Sequence, residues 1–368
     1  MYYYLICFAF SSFLFWFGER LRLEKIVEPI RWFIYGIALL IPSVLAGLRD
    51  VTVGTDMLVY GVPVFKSAYY AKDFGELINE WSRIEIGYLG LNYVIARISS
   101  THYLFFFLIM FTEVFFVYLA IRRWKHNVPL WLGMLIFYLL FYNDSLNAMR
   151  QYLALSIGFF GLQYIFERKF FRFIFWIFLA SLFHVSGWIL ILYYPLWWWV
   201  NRFSSLKSVI LFCGLLLFAV VYLQYILADY LFLLGGKMER ASWYIGASHE
   251  GKEFPYNTLA FYGLVIVLSL FNRKRILSSF SIGNLLYYVM AILFVLPIFE
   301  FYAGRYAVRL FVFITIWLVI FIPVILYSFR IEPRPIINIA IISYCCFYWY
   351  MIYMVGGAGE TQNYMIGI

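Results

Sequence analysis

The chain has 368 residues, of which 65% are hydrophobic and only 13% charged, with a formal net charge of +9. An apolar fraction of this size along the whole length excludes an ordinary soluble domain and indicates a polytopic membrane protein. The four cysteines lie inside apolar runs without metal-ligand spacing, so we interpret them as packing residues.

Apolar runs predict about twelve transmembrane helices in an all-α protein. The first run lacks a basic leader and a small-residue cleavage site, so we expect an uncleaved span with the N-terminus outside. We treat residues 1–368 as a single integral membrane domain. The predicted spans lie near 2–17, 32–48, 103–121, 128–142, 149–166, 171–184, 186–200, 208–233, 257–271, 282–299, 306–329 and 336–354.

Basic residues gather in alternate short connections between these runs. The positive-inside rule makes those connections cytoplasmic. The net charge therefore reflects membrane orientation, and we expect no nucleic-acid partner. Examples are Arg122-Arg123, Arg273-Lys274-Arg275 and Arg330.

This orientation places two longer connections outside, at 49–101 and 235–257. In the first, Asp73 to Trp81 predicts a short amphipathic surface helix. Residues 84–98 are apolar, but a crossing there would invert every later basic loop, so we expect an interfacial or re-entrant helix. The second connection carries Arg240 and His249, and both a mobile outer lid and a merely solvated loop remain open.

The first polar cluster on the outer side joins Arg49, Gly54, Thr55, Asp56 and Tyr60. Gly54 can adopt backbone angles that let amides approach an oxyanion. Asp56 could orient a sugar hydroxyl or act as a base. The alternative is a turn in which Asp56 caps a helix.

The second cluster is a polar island between two apolar runs, with Asn147, Arg150 and Gln151 as its key residues. A guanidinium at the membrane mouth suits a phosphate-bearing ligand. A connecting loop whose arginine reaches back to water is the alternative. The third cluster is His184 with Ser186, and a lone histidine in an apolar run is more often structural than functional.

The fourth cluster contains Glu300, Arg305 and Arg309. The two arginines are one helical turn apart and would repel each other unless an anion or Glu300 lay between them. An anion site is therefore favoured. The sequence has no phosphate-binding glycine loop and no metal motif, so we expect no cofactor, no metal ion and a substrate that arrives through the membrane.

Four short motifs, in this order, give the chain a family resemblance. They are Ala46-Gly47-Leu48-Arg49 with Val53-Gly54-Thr55-Asp56 and Tyr60, Glu85 with Gly87-Tyr88, Asn147 with Arg150-Gln151 and Ala154, and Phe183-His184-Val185-Ser186. In them the chain resembles the EpsG family of bacterial membrane proteins, relatives of the Wzy-type polysaccharide polymerases.

The resemblance implies a polymerase at the outer (periplasmic) face of the bacterial inner membrane. Such an enzyme moves a glycan from undecaprenyl diphosphate to the non-reducing end of a lipid-linked repeat unit. Arg49, Arg150, Arg305 and Arg309 would then stabilise the departing diphosphate, with Thr55, Tyr60, Asn147 and Gln151 lining the site. Asp56, Glu85 and His184 compete as the base, and a carboxylate is preferred. Expected partners are the lipid-linked oligosaccharide, the bilayer and a chain-length regulator.

Three other functions remain open from the sequence. A glycan ligase would use the same donor and arginines. A membrane O-acyltransferase would depend on an intramembrane histidine such as His184. A flippase or exporter would bind the same lipid-linked glycan without chemistry.

Overall fold

The computed structural model describes residues 1–21, 27–218, 254–303, 305–330 and 334–367, without the side chains of 27, 300, 302–309 and 334. Within these ranges the chain is helical, and its β-type pairing is one antiparallel bridge between Arg49 and Ile366. The chain divides into two compact units, Met1–Ile191 with Ile331–Ile368, and Leu192–Arg330. The all-helical class predicted from the apolar runs is confirmed for this part of the chain.

The first unit holds every motif of the family resemblance. Its helices are α1 (Tyr2–Arg20), α2 (Val27–Gly47), a π-helical turn (Met57–Gly61), α3 (Val62–Tyr70), α4 (Phe74–Glu80), α5 (Ile86–Ala96), α6 (Tyr103–Arg122), α7 (Leu130–Asn147), α8 (Met149–Gly161), α9 (Gln163–Phe166), α10 (Phe170–Ser181) and a 3₁₀ segment (Val185–Leu192).

The second unit is also helical. Its helices are α11 (Tyr193–Arg202), α12 (Leu206–Phe218), α13 (Tyr256–Phe271), α14 (Arg273–Ser279), α15 (Gly283–Ala303), α16 (Arg305–Thr315) and α17 (Leu318–Ser328). The chain then returns to the first unit with α18 (Arg334–Trp349), a π-helical turn (Tyr350–Val355) and a 3₁₀ turn (Ala358–Glu360).

Four helical stretches in the described residues are long and apolar enough to cross a membrane. They are Glu28–Gly47, Tyr103–Arg122, Leu310–Ser328 and Pro335–Val355. Within the described residues, the remaining predicted spans overlap other helices, several of them short apolar ones such as Phe170–Ser181 and Tyr256–Phe271. Residues 219–233 of the predicted span 208–233 lie outside the described residues. The count of about twelve spans stays a prediction.

Hydrogen bonds between helices compensate for a proline inside α2. Pro42 has no N–H, so the carbonyl of Ala38 lacks its usual donor one turn later. The hydroxyl of Ser11 in α1 donates to that carbonyl at 2.7 Å. Tyr142 in α7 donates to the carbonyl of Pro42, also at 2.7 Å. Because an unpaired carbonyl is costly in an apolar interior, these bonds fix α1 and α7 against α2.

The connection at 49–101 folds into short helices packed on α6. The short helix predicted from Asp73 to Trp81 corresponds to α4, and Asp73 caps it by accepting from the amide of Glu76 at 2.9 Å. Helix α5 has 11 residues, about 16 Å at 1.5 Å per residue, too short to cross a bilayer. This length favours the interfacial or re-entrant interpretation of residues 84–98.

Candidate functional site

A break between α7 and α8 forms the centre of the candidate site. Helix α7 ends at Asn147, α8 begins at Met149, and Ala148 between them has φ −87° and ψ 50°. Helix ends leave carbonyls and amides without intrahelical partners. The residues around this break therefore have backbone groups available to hold other parts of the chain.

Asn147 uses its side chain to hold the first polar cluster. Its Oδ1 accepts from the hydroxyl of Thr55 and from the amide of Asp56, both at 2.9 Å. Gly54, which directly precedes Thr55, has φ +100°. A Cβ on Gly54 would lie 3.1 Å from the carbonyl oxygen of Leu146. This agrees with the expectation that Gly54 adopts angles that other residues resist. We call residues 54–56 the Asp56 loop.

Asp56 lies at the start of the π-helical turn, half-buried, with its backbone fixed by Asn147. It makes no side-chain capping bond, so the structure does not support the alternative that it caps a helix. Among the residues that the structure describes, its carboxylate has no hydrogen bond and no ion pair. The carboxylate is thus available to accept a proton or a hydroxyl hydrogen.

Glu85 and Arg150 form an ion pair through Glu85 Oε2 and Arg150 Nη1. Each side chain is 17% exposed. The other carboxylate oxygen of Glu85 accepts from the amide of Val185 at 3.1 Å. The pair therefore joins the start of α5, the first turn of α8 and the segment that follows His184. The Arg150 side chain contacts a protein carboxylate. This contact does not fit the alternative in which Arg150 belongs to a connecting loop and reaches back to water.

Tyr60 contacts Arg150. The guanidinium of Arg150 is 4.4 Å from the centre of the Tyr60 ring, a cation–π contact. Burial raises the pKa of Tyr60 well above its ordinary value of 10.0, and the Asp56 carboxylate adds to that rise while Arg150 opposes it. The Asp56 backbone also lies close to the start of α8, since Asn147, which accepts from the amide of Asp56, stands three residues before Arg150.

His184 adjoins this site at the end of the turn after α10. Its Nδ1 lies 2.6 Å from the hydroxyl of Ser186 and accepts from the amide of Ser186 at 3.2 Å. An amide can only donate, so a neutral ring in this geometry carries its proton on Nε2. Glu85 contacts the amide of Val185, the next residue in the chain. The structure thus brings the Glu85 and His184 motifs together.

Arg49 is fully enclosed beside this site, with 1% of its surface exposed. Its Nη2 donates to the carbonyl of Leu146 at 3.0 Å and lies within 3.2 Å of the sulfurs of Met57 and Met149. In the described part of the chain it makes no ion pair with a carboxylate. Its contacts connect the Asp56 loop region to the α7–α8 break from inside the protein.

The comparison with known proteins identifies the family. A model of the EpsG family matches residues 32–365, nearly the whole chain. The chain belongs to the EpsG family. No curated protein and no solved structure matches it.

The EpsG family is of the Wzy-like polysaccharide polymerase type, so the chain is a membrane protein with a polymerase-like role in polysaccharide biosynthesis. The family match includes all four motifs through which the sequence resembled EpsG proteins. The structure brings residues from each motif into one unit: Arg49, Thr55, Asp56, Tyr60, Glu85, Asn147, Arg150 and His184.

Gln151 follows Arg150 in α8, whereas the remaining candidates of the EpsG chain lie in the second unit or outside the described residues. Gln151 is buried, with 4% of its surface exposed. Helix α16 in the second unit carries Arg305 and Arg309. The side chains of these two arginines and of Glu300 lie outside the described residues. Arg240 and His249 lie outside the described residues entirely. No group of three or more His, Cys, Asp or Glu in the described residues is arranged to hold a metal ion.

Sequence reasoning assigned no role to the glycine-rich segment Gly356–Gly367, which contacts this site. The carbonyl of Glu360 accepts from the amide of Gly54 at 3.3 Å. Asn143, one turn before Asn147, donates to the hydroxyl of Thr361 at 3.0 Å. The signal that could have found this segment is its polar, glycine-rich composition directly after the last apolar run.

Proposed function

We propose that this chain is a membrane glycosyltransferase of the Wzy type. It transfers a glycan from undecaprenyl diphosphate to the non-reducing end of a lipid-linked repeat unit at the outer face of the bacterial inner membrane. EpsG membership supports polymerisation of polysaccharide. The observation that carries the mechanism is the Asp56 carboxylate, which has no partner in the described residues and whose amide is held by Asn147, three residues before Arg150.

The reaction needs a base for the acceptor and a cation for the leaving group. The acceptor hydroxyl oxygen forms a bond to the anomeric carbon of the donor, and the bond from that carbon to the diphosphate oxygen breaks. The hydroxyl proton passes to the base, and undecaprenyl diphosphate leaves with the electron pair. Direct attack of this kind inverts the configuration at the anomeric carbon.

Asp56 is the base in this proposal because its carboxylate has no partner among the described residues and its backbone is fixed. Asn147 holds the amide of Asp56, which limits the positions that the carboxylate can reach. Glu85 is less suited, since Arg150 and the amide of Val185 already engage its two oxygens. His184 with its proton on Nε2 is suited to donate a hydrogen bond instead of accepting a proton.

Arg150 holds the diphosphate in this proposal. A guanidinium has five N–H donors, and the contact with Glu85 leaves others that can contact phosphate oxygens. Arg150 also stands in the first turn of α8, where the helix dipole favours negative charge. Fixed donors aimed at a departing diphosphate stabilise the charge that develops there. Arg305 and Arg309 stay predictions from the sequence.

Elongation by the purified protein tests this function. The protein is placed in lipid vesicles with undecaprenyl-diphosphate-linked repeat units, and the products are resolved by size. We expect a ladder of longer chains, and an Arg150→Ala protein in the same vesicles to make none. Products no longer than the substrate would contradict a polymerase and favour a flippase, while transfer of one glycan to a different lipid would favour a ligase.

A strain lacking this chain gives a second test. We expect single repeat units to accumulate on their carrier lipid at the outer face of the inner membrane. Accumulation at the cytoplasmic side would instead indicate a flippase. Unchanged glycan length with altered acetylation would indicate an O-acyltransferase.

A further inference from the structure

The glycine-rich segment Gly356–Gly367 is tied to the chain directly before the Asp56 loop. The amide of Asp50 donates to the carbonyl of Met365 at 2.9 Å, and the amide of Gly367 donates to the carbonyl of Leu48 at 3.0 Å. The hydroxyl of Tyr364 donates to the carbonyl of Leu45 at 2.6 Å. These bonds fix the segment against the end of α2.

Buried polar contacts fix the middle of the segment to α7. Thr361 is fully buried, and its hydroxyl accepts from the side-chain amide of Asn143 at 3.0 Å. Its carbonyl accepts from the hydroxyl of Tyr4 at 2.8 Å. The side-chain oxygen Oδ1 of Asn143 accepts from Trp349 Nε1 at 2.8 Å. Buried groups with complete hydrogen bonding specify one position for the backbone.

The residues just before Thr361 touch the Asp56 loop and its anchor. Glu360 has φ +55°, a strained angle for this residue, and its carbonyl accepts from the amide of Gly54. Gly359 has φ +68°, and a Cβ on it would lie 3.2 Å from the Cβ of Asn147. Asn147 in turn holds Thr55 and the amide of Asp56.

Asn143 and Asn147 are four residues apart on one face of α7. One amide fixes the glycine-rich segment, and the other fixes the Asp56 loop. The loop is therefore held from two sides, by Asn147 and by Glu360. We propose that Gly359 and Thr361 are positioning residues for the reaction: they hold the Asp56 carboxylate where it can meet the acceptor hydroxyl. This inference rests on the proposed function, because it concerns the loop that carries the base.

A pair of substitutions at Thr361 tests the positioning role. Thr361→Val keeps the shape but removes the hydroxyl, whereas Thr361→Ser keeps the hydroxyl. Hydrogen–deuterium exchange of the peptide covering Gly54 to Asp56 reports the loop directly and needs no activity. We expect exchange to be about tenfold faster in Thr361→Val and close to wild type in Thr361→Ser.

The kinetics of glycan elongation test whether a displaced Asp56 loop slows the reaction. We expect Thr361→Val to lower kcat by about 10- to 100-fold, since small misplacements of a reacting group are costly, while KM for the donor stays within about twofold. Thr361→Ser should restore most of the rate. Unchanged exchange in Thr361→Val, or faster exchange with an unchanged kcat, would overturn the positioning role.

Gly359→Ala is a second, independent variant. It adds one methyl group against Asn147 at a positive φ, so it should raise exchange in the Asp56 loop and lower kcat in the same way. Gly36→Ala in α2 is the matched control, because a Cβ there meets nothing within 4 Å. Equal kcat and exchange in Gly359→Ala and Gly36→Ala would count against the proposal.

The outcomes separate this inference from the proposed function. If the wild-type protein does not lengthen the glycan, the proposed function fails. The hydrogen–deuterium exchange data alone then show whether Thr361 and Gly359 hold the Asp56 loop in place. If Asp56→Asn abolishes elongation while Thr361→Val and Gly359→Ala elongate normally, only the positioning inference fails.

Discussion

Glu85 and Arg150 form an ion pair across 65 positions of the chain. Both side chains are mostly enclosed, so each charge depends on the other for compensation. Because Glu85 also holds the amide of Val185, the pair connects three segments that carry motifs of the family. Through these contacts the Glu85, Arg150 and His184 motifs lie together in one site.

Removing Arg150 should abolish polymer and also weaken the protein. We expect Arg150→Ala to stop elongation and to lower the free energy of unfolding by roughly 2 to 3 kcal/mol, because Glu85 would be left half-buried without its cation. Thermal unfolding and product length measure the two effects. A double-mutant cycle with Glu85→Gln should show a favourable coupling between the two residues.

The pair of Arg123 and Glu167 gives the control. It is more exposed, at 43% and 25%, and its shortest nitrogen–oxygen distance is 3.6 Å. We expect Arg123→Ala to change stability by less than about 1 kcal/mol and to leave chain length unchanged. Normal chain length in a well-expressed Arg150→Ala protein would contradict the assignment of this site.

Asp56→Asn should separate activity from stability. Because the Asp56 carboxylate makes no capping bond and has no ion pair in the described residues, its neutral isostere should leave the unfolding temperature unchanged. We expect kcat for elongation to fall by about 10²- to 10⁴-fold, as for loss of a general base. Asp73→Asn, which keeps a side chain able to cap α4, should retain full activity. Full elongation by Asp56→Asn would exclude it as the base.

Arg49 should act through structure, since only 1% of its surface is exposed. Arg49→Ala would leave a cavity and an unpaired carbonyl at Leu146, so we expect a loss of roughly 3 kcal/mol and loss of polymer. Arg49→Met fills most of that volume without charge and should recover part of the stability. Elongation per folded molecule should then also recover. A stable Arg49→Met protein with a raised KM for the donor would instead indicate contact with the diphosphate.

His102 should make stability depend on pH in the acidic range. Burial, followed by repulsion from Arg49 and Lys66, lowers the pKa of His102 below its ordinary 6.5. The folded protein then binds this proton less readily than the unfolded chain, so the stabilisation is complete above pH 6.5 and is lost as pH falls through the folded-state pKa. We expect unfolding curves of His102→Gln to depend less on pH below 6.5 than those of the wild type. His126→Gln, at an exposed position, should behave like the wild type.

Local patterns in the sequence predicted the helices well. Apolar runs such as 103–121 correspond to α6, and the polar island at Asn147 corresponds to the break before α8. The stretch from Asp73 to Trp81, predicted as a short amphipathic helix, corresponds to α4. These features depend on residues a few positions apart, so hydrophobic periodicity is enough to reveal them.

The roles of the charged residues could not be predicted in the same way. Arg49 and Arg150 looked equivalent in the sequence, yet the first is enclosed and the second pairs with Glu85. The candidate bases also looked alike in the sequence. Within the described part of the chain, Glu85 accepts from the amide of Val185, whereas the Asp56 carboxylate has no partner. Burial and pairing depend on distant segments, which local patterns do not encode.

The sequence by itself determined that this is an all-helical membrane protein of the EpsG family, because hydropathy, loop charge and short motifs are properties of neighbouring residues. The tertiary structure alone decided which side chains share a site and how Gly356–Gly367 contacts the Asp56 loop. The physical reason is that the Asn143–Thr361 and Asn147–Asp56 bonds join positions far apart in the chain, and they form only after the helices have packed.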